Sequence, residues 1–370
     1  MSADLVVARP EGLYCPPGDF HIDPWRPVER AVITHAHSDH ARAGHRHYLA
    51  AAPGAGVLRA RLGEIDLQSL QYRESVIHNG VKISLHPAGH VLGSAQVRLE
   101  HRGRVWVASG DYKFMRGSND DSVDPTCLPF EPVRCDVFIT ESTFGLPIYR
   151  WQRQREIFAG IDDWWRGNAA AGRASVLFCY AFGKAQRILA GVESAIGPII
   201  CHGAIEPLNR AYREAGVALP PTRMVTEVTD RSELRRALVL APPSAQESSW
   251  LKRFGSGTGE YSDAFASGWM QLRGARRWRA LDRGFVLSDH ADWPGLNAAI
   301  AATGAQRIIV THGQVPVMVR WLCENGWDAQ AFQTEYGSDD DQIERPQTAE
   351  AAVSESLPAA AASPDPSPDS

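Results

Sequence analysis

The chain has 370 residues, 44% of them hydrophobic and 22% charged, and a net charge of −5. That length exceeds an ordinary single domain, so one large α/β domain plus a second unit is expected. The opening MSADLVVARP has no basic stretch followed by an apolar one, and no run approaches the ~18 apolar residues of a membrane span, so a cytoplasmic chain with no membrane segment is expected. Six cysteines form no CxxC pair, which argues against a zinc ribbon and a disulfide scaffold and leaves buried thiols. The acidic balance argues against a general nucleic-acid binder. From Ser338 on, however, eight acidic residues stand against one basic residue, Arg345, so the tail carries −7 and the remainder +2.

In chain order, residues 31–34 read as a short apolar strand. SVIH, Asn79-Gly80 and VKISLH predict a hairpin over 75–86 with a type I′ turn. Residues 96–100, the turn HRG and RVWVAS predict a second hairpin leading to Asp111, and CDVFIT over 135–140 a further buried strand. From Trp151 helix and strand alternate: an amphipathic stretch to Trp165, the strand SVLFCYA, a helix over 184–195, the strand PIICH, and a helix through Asn209 to Ala215. That is the rhythm of a parallel sheet. A strand FVLS from Phe285, a helix WPGLNAAIAATG and a strand RIIVTH ending on His312 follow, and the folded part closes near Tyr336. Ala, Pro, Ser and Asp dominate beyond it, so the tail is expected to be disordered. The expected division is one domain from residues 1–150 and 285–337, a second inserted over 151–284, and a tail over 338–370.

His35, His37, Asp39 and His40 lie within six residues, directly after a strand. Loops of that kind position reactive groups, and four such side chains are too many for one ion. His35 and His37 can chelate one metal, while Asp39 and His40 point to a second. His90 and Asp111 sit at strand ends beside glycine, where backbone can approach closely. Asp111 is the natural shared carboxylate, and His312 supplies the last ligand of the second ion. Imidazole with carboxylate favours two zinc ions, with manganese as the alternative. Such a pair holds a hydroxide nucleophile and stabilises charge on a scissile phosphoryl or carbonyl oxygen. His21, His45, His47, His78, His86, His101 and His202 are expected to be structural, with His45 and His47 close enough in sequence to support the metal loop.

THAHSDHA, followed in order by His90, Asp111 and His312, resembles the HxHxDH signature of the metallo-β-lactamase superfamily. The resemblance implies an αββα sandwich and leaves the substrate open. TESTFG (140–145), FGKAQRIL (182–189) and LSDHAD (287–292) look like the successive signatures of the β-CASP nucleases, which implies an inserted β-CASP α/β domain. The block IDPWRPVERAVITHAHSDHARAGH looks most like the bacterial ligase-associated DNA exonucleases, which implies work in DNA repair beside a DNA ligase and a helicase. By the same resemblance, Asp23 supports the metal loop. One zinc takes His35, His37, His90 and Asp111, and the other takes Asp39, His40, Asp111 and His312. His290 protonates the leaving oxygen with Glu141 orienting it, a role that suits a histidine whose pKa a carboxylate raises. Asp292 before Trp293-Pro294 also looks like a helix start beside His290.

Two cues for substrate conflict. A histidine at 312 is the RNA-processing type within the group, whereas SGDYK over 109–113 is the DNA-processing type. The whole block favours DNA, with an RNA-processing nuclease or a non-nuclease metallo-hydrolase as alternatives. Expected phosphate contacts are Lys113, Lys184, Arg187 and the cluster Arg273, Arg276, Arg277, Arg279 and Arg283. Trp269 and Trp278, within or beside that cluster, are expected in the core, with stacking on bases as the other reading.

Overall fold

A computed structural model of the chain describes residues 4–114, 124–246, 248–255, 260–272 and 281–335. The tail expected from residue 338 lies outside them. Three sheets carry the described residues. The first runs Val7–Arg9, Gly12–Cys15, Phe20–Ile22, Arg30–Val32, His47–Ala51 and Leu67–Leu70. The second runs Asp328–Ala331, Arg307–Gly313, Val137–Ser142, Arg104–Ala108, Ala95–His101, Val81–Pro87 and Ser75–His78.

These two sheets share a core. Leu13, Ile22 and Leu49 of the first pack with Ile83, Leu99, Trp106, Ile139 and Ile309 of the second. Helices cover both outer faces. Val57 and Leu58 of Ala55–Leu62 and Leu208 and Tyr212 of Glu206–Glu214 lie against Ala31, Tyr48 and Ala50. Leu296 and Ile300 of Trp293–Thr303 and Met318 and Leu322 of Val315–Glu324 lie against Val107, Phe138 and Ile308. The layers are therefore helix, sheet, sheet, helix, each sheet burying one face on the other and one on helices.

The third sheet is parallel throughout and uses only residues after Trp151, in the order Arg223–Met224, Ile199–Cys201, Leu238–Ala241, Ala174–Phe178, Tyr261–Ala266 and Arg283–Phe285. Both of its faces are apolar, as a buried parallel sheet requires. Leu177, Leu240 and Ala264 meet Ile161, Trp165 and Ile188, while Val176, Val239 and Phe265 meet Leu234, Leu251 and Phe254.

Both hairpins form where the sequence places them. Asn79 and Gly80 take φ of 48° and 77°, and Arg102 and Gly103 take 50° and 75°, the paired positive values of a type I′ turn. Two elements are shorter than expected. The helix from Lys184 stops at Gly191, where an added Cβ would meet the Phe158 ring at 2.4 Å. The FVLS strand ends at Phe285 because the Leu287 amide turns back to donate to the Phe285 carbonyl at 3.0 Å. No described helix is long and apolar enough to cross a membrane.

The topology gathers one edge. Val81–Pro87, Arg104–Ala108, Val137–Ser142 and Arg307–Gly313 point the same way, so the segments after them, with Thr34 after Arg30–Val32, meet at a common rim.

Candidate metal centre

His35, His37, His90, Asp111, His40 and His312 arrive at that rim together. His35, His37, His90 and Asp111 each offer one ligand atom within 4.8 Å of the others, and so do His40, Asp111 and His312. Asp111 belongs to both groups. Two glycines make the approach possible. At Gly110, with φ of 56°, an added Cβ would lie 2.6 Å from the Thr34 side chain, and at Gly89, with φ of 76°, one would lie 2.5 Å from the Lys113 carbonyl oxygen.

Hydrogen bonds fix which ring nitrogen of each histidine faces inward. His90 Nδ1 lies 2.9 Å from the Asp289 carbonyl oxygen and must donate, leaving the Nε2 lone pair directed at His37 Nδ1, 3.1 Å away. Thr34 Oγ1 gives its hydrogen to Asp23 Oδ2 and therefore accepts from His35 Nδ1, so His35 Nε2 also faces inward as a lone pair. His37 Nε2 faces the Phe182 carbonyl oxygen at 3.3 Å, which leaves His37 Nδ1 as a lone pair 3.0 Å from His35 Nε2. Three lone pairs at such separations repel one another unless a cation lies among them. This donor set fits a divalent ion bound by imidazole nitrogen and carboxylate oxygen.

The second group follows the same logic. Asp23 accepts from the Thr34 amide at 2.7 Å and from His40 Nδ1 at 2.8 Å, which aims His40 Nε2 at Asp111 Oδ2, 3.4 Å away. Thr311 Oγ1 donates to the Thr140 carbonyl and accepts from His312 Nδ1, so His312 Nε2 faces Asp111 Oδ1 at 2.8 Å. Asp39 stands at the margin, its Oδ2 3.6 Å from His40 Nε2 and outside the compact three-residue group.

Protonation matches ligation in the first group. Burial lowers the pKa of His35 to about 3 and of His37 to about 4, and burial beside His290 puts His90 well below its usual value. All three are neutral at pH 7. Burial works against charge on Asp111, but His40 and His312 outweigh it and keep the carboxylate ionised.

Glu141 and His290 form a third cluster with Asp111. Both Glu141 oxygens lie 3.0 Å from His290 Nδ1, and Glu141 Oε1 also accepts from the Tyr112 amide at 2.7 Å. The His290 ring sits 4.5 Å from that of His90. Asp292 caps the helix Trp293–Thr303 by accepting from the Gly295 amide, and the Trp151 indole donates to the His290 carbonyl. The helix start and the histidine's placement thus coexist.

Lys113, Lys184 and Arg187, expected on phosphate, are all buried and already engaged. Lys184 Nζ lies 2.6 Å from Asp289 Oδ2. Arg187 pairs with Asp289 Oδ1 at 3.0 Å and Asp124 Oδ2 at 2.5 Å, and donates to the Ser288 carbonyl at 2.7 Å. Lys113 donates to the same carbonyl at 2.9 Å. These cations hold the loop that carries His290 and are withdrawn from solvent, which corrects the expectation. Asp289, Asp124 and the Phe182 carbonyl are the partners that sequence reasoning missed. The available signal was Asp289 itself, an acidic residue beside His290 with no cation near it in sequence. Arg273, Arg276, Arg277, Arg279 and Trp278 lie outside the described residues, and Arg283 is exposed with its guanidinium over Phe285. His45 Nδ1 accepts from the Val28 amide and His47 pairs with Asp66, so neither touches the centre.

No protein-family model matches the chain. It is 32% identical over 339 residues, 90% of its length, to a protein of Opitutus terrae named "Probable DNA ligase", and covers 31% of that protein. It is 30% identical over 125 residues, 33% of its length, to "Endoribonuclease YSH1" of Saccharomyces cerevisiae, covering 15% of that chain. The chain thus spans about a third or less of these relatives. A solved structure of a protein of unknown function from Enterococcus faecalis aligns with 83% of this chain and 80% of its own, with a TM-score of 0.55 and 10% identity, a likeness of fold alone.

Proposed function

We propose that this chain, whose relatives support the metallo-β-lactamase superfamily, is a metal-dependent nuclease that hydrolyses phosphodiester bonds of DNA as an exonuclease. The observation that carries the reading is Asp111 shared by two groups of inward-facing imidazoles, with the His290–Glu141 pair alongside. Divalent cations held by His35, His37, His90 and Asp111 and by His40, Asp111 and His312, with Asp39 at the margin, would activate water and offset charge growing on the phosphoryl oxygen. His290 handles the proton. Its Nδ1 is tied to Glu141, so Nε2 is the atom that passes a proton to the departing oxygen. Asp23 acts one step back, orienting His40 and the Thr34 backbone.

DNA is supported by the Opitutus relative, a longer chain named for DNA ligation that contains a region similar to nearly all of this one. That relative also supports a place in repair beside a ligase, and by the motif resemblance a helicase. A division into a metal-binding unit over 1–150 and 285–337 and a β-CASP insertion over 151–284 is supported by the third sheet, whose described strands run from Ala174 to Phe285. An RNA-processing role is the second reading, favoured by His312 and by the relative named as an endoribonuclease. Incubating the protein with zinc or manganese and end-labelled single-stranded DNA or RNA of the same sequence tests both. Shortening of DNA from one end supports the proposal. Cleavage of RNA alone favours the second reading, and cleavage of neither overturns both.

A further inference from the structure

The two packed sheets do not hold the candidate ligands alone. Between the strand Ala174–Phe178 and the helix Lys184–Gly191, a loop of the third sheet's unit reaches the same centre. Phe182 lies in that loop with its ring 4.9 Å from the His37 ring and its carbonyl oxygen 3.3 Å from His37 Nε2. Phe182 and Tyr212 share one apolar cluster with Ala36, Ala41, Val91 and Leu92, residues that adjoin His37, His40 and His90 in sequence. The Tyr212 hydroxyl accepts from the Leu92 amide at 3.2 Å.

Gly183 makes the approach possible. Its φ of 82° lies in the left-handed region, and an added Cβ would overlap the side chain of Val91, which is buried and, being β-branched, stiff about χ1. The loop is braced from within. Gln186 Oε1 accepts from the Gly183 amide at 2.8 Å, and Gln186 Nε2 donates to the Ala181 carbonyl at 3.1 Å and to Asn209 Oδ1 at 2.8 Å. The Phe182 carbonyl is therefore a fixed acceptor. It keeps the His37 proton on Nε2 and leaves Nδ1 as the lone pair facing His35 and His90.

We propose that Phe182 and Gly183 are positioning residues of the metal centre, so that metal loading and the seating of this loop are coupled. The inference rests on the reading of His35, His37, His90 and Asp111 as a metal site. Neither residue is a ligand. Phe182 acts through its carbonyl on His37, and Gly183 acts by letting that carbonyl approach. Loss of the acceptor that orients a ligating histidine typically lowers metal affinity about 10–100-fold. The coupling is reciprocal: whatever the seated loop adds to metal affinity, bound metal adds to the stability of the seated loop.

Zinc affinity of the metal-stripped chain, measured by competition with a chromogenic chelator, tests the first half. Gly183→Ala should weaken the binding of one zinc about 10–100-fold. Gly191→Ala is the control. Its Cβ would meet the Phe158 ring within the same unit, so it should lower the melting temperature and leave zinc affinity unchanged. Hydrogen exchange of the natural chain tests the second half and decides the matter if Gly183→Ala does not fold. Zinc should slow amide exchange in residues 183–187 more than in the strand Leu238–Ala241 of the same unit. Equal zinc affinity in Gly183→Ala and the natural chain, an equal loss in both variants, or exchange slowed no more in the loop than in the strand overturns the proposal. Nucleic acid enters neither measurement. Failure to cleave DNA or RNA therefore removes the nuclease reading and leaves the coupling, whereas absence of zinc binding removes the metal site and the coupling together.

Discussion

His90 Nδ1 donates to the main-chain carbonyl of Asp289 at 2.9 Å, while the Asp289 side chain pairs with Lys184 and Arg187. One residue thus fixes the inward-facing nitrogen of His90, a candidate metal ligand, and anchors the loop bearing His290 to the helix Lys184–Gly191. Asp289→Asn would leave two buried cations short of a partner, a change that costs about 3–5 kcal/mol when a buried pair is broken. Urea unfolding should show that loss.

The same carboxylate sets an acid limb. Burial opposes its charge, but Lys184 and Arg187 outweigh burial and hold its pKa well below the ordinary 3.8. A depressed folded pKa means that the stabilisation is present above the unfolded value and is lost as pH falls below it. Stability of the natural chain should therefore fall below about pH 4, and Asp289→Asn should flatten that part of the profile. An unchanged acid limb in Asp289→Asn would contradict the assignment.

His290→Ala should keep the metal content of the natural chain and cut turnover roughly 10²–10⁴-fold, the usual loss for a general acid. Elemental analysis beside a rate measurement separates this from a ligand role. Loss of metal would move His290 into the coordination sphere.

Gly110→Ala should destabilise the chain by more than about 1 kcal/mol, because φ is 56° and the new Cβ would lie 2.6 Å from Thr34. Since Asp111 follows directly, metal content should fall with the melting temperature. Thermal unfolding with and without added zinc checks both.

The cluster of His35, His37, His40, His90, Asp111 and His312 was legible because three of these residues fall within six positions and the others each lie near a strand end beside glycine. The hairpins were legible because Asn79-Gly80 and Arg102-Gly103 occur between apolar alternations. Lys184 and Arg187 misled because a basic residue at a helix start looks the same whether phosphate or carboxylate faces it. Their partners are remote, the Ser288 carbonyl lying 101 positions from Arg187.

The central claim is that two ions sharing Asp111 make a phosphodiesterase, and metal titration of the stripped chain tests it most directly. With hydrolysis of end-labelled single-stranded DNA as readout, the account predicts little activity up to one equivalent of zinc or manganese and a steep rise to a plateau at two. Full activity at one equivalent, or in a chelator without metal, would contradict it.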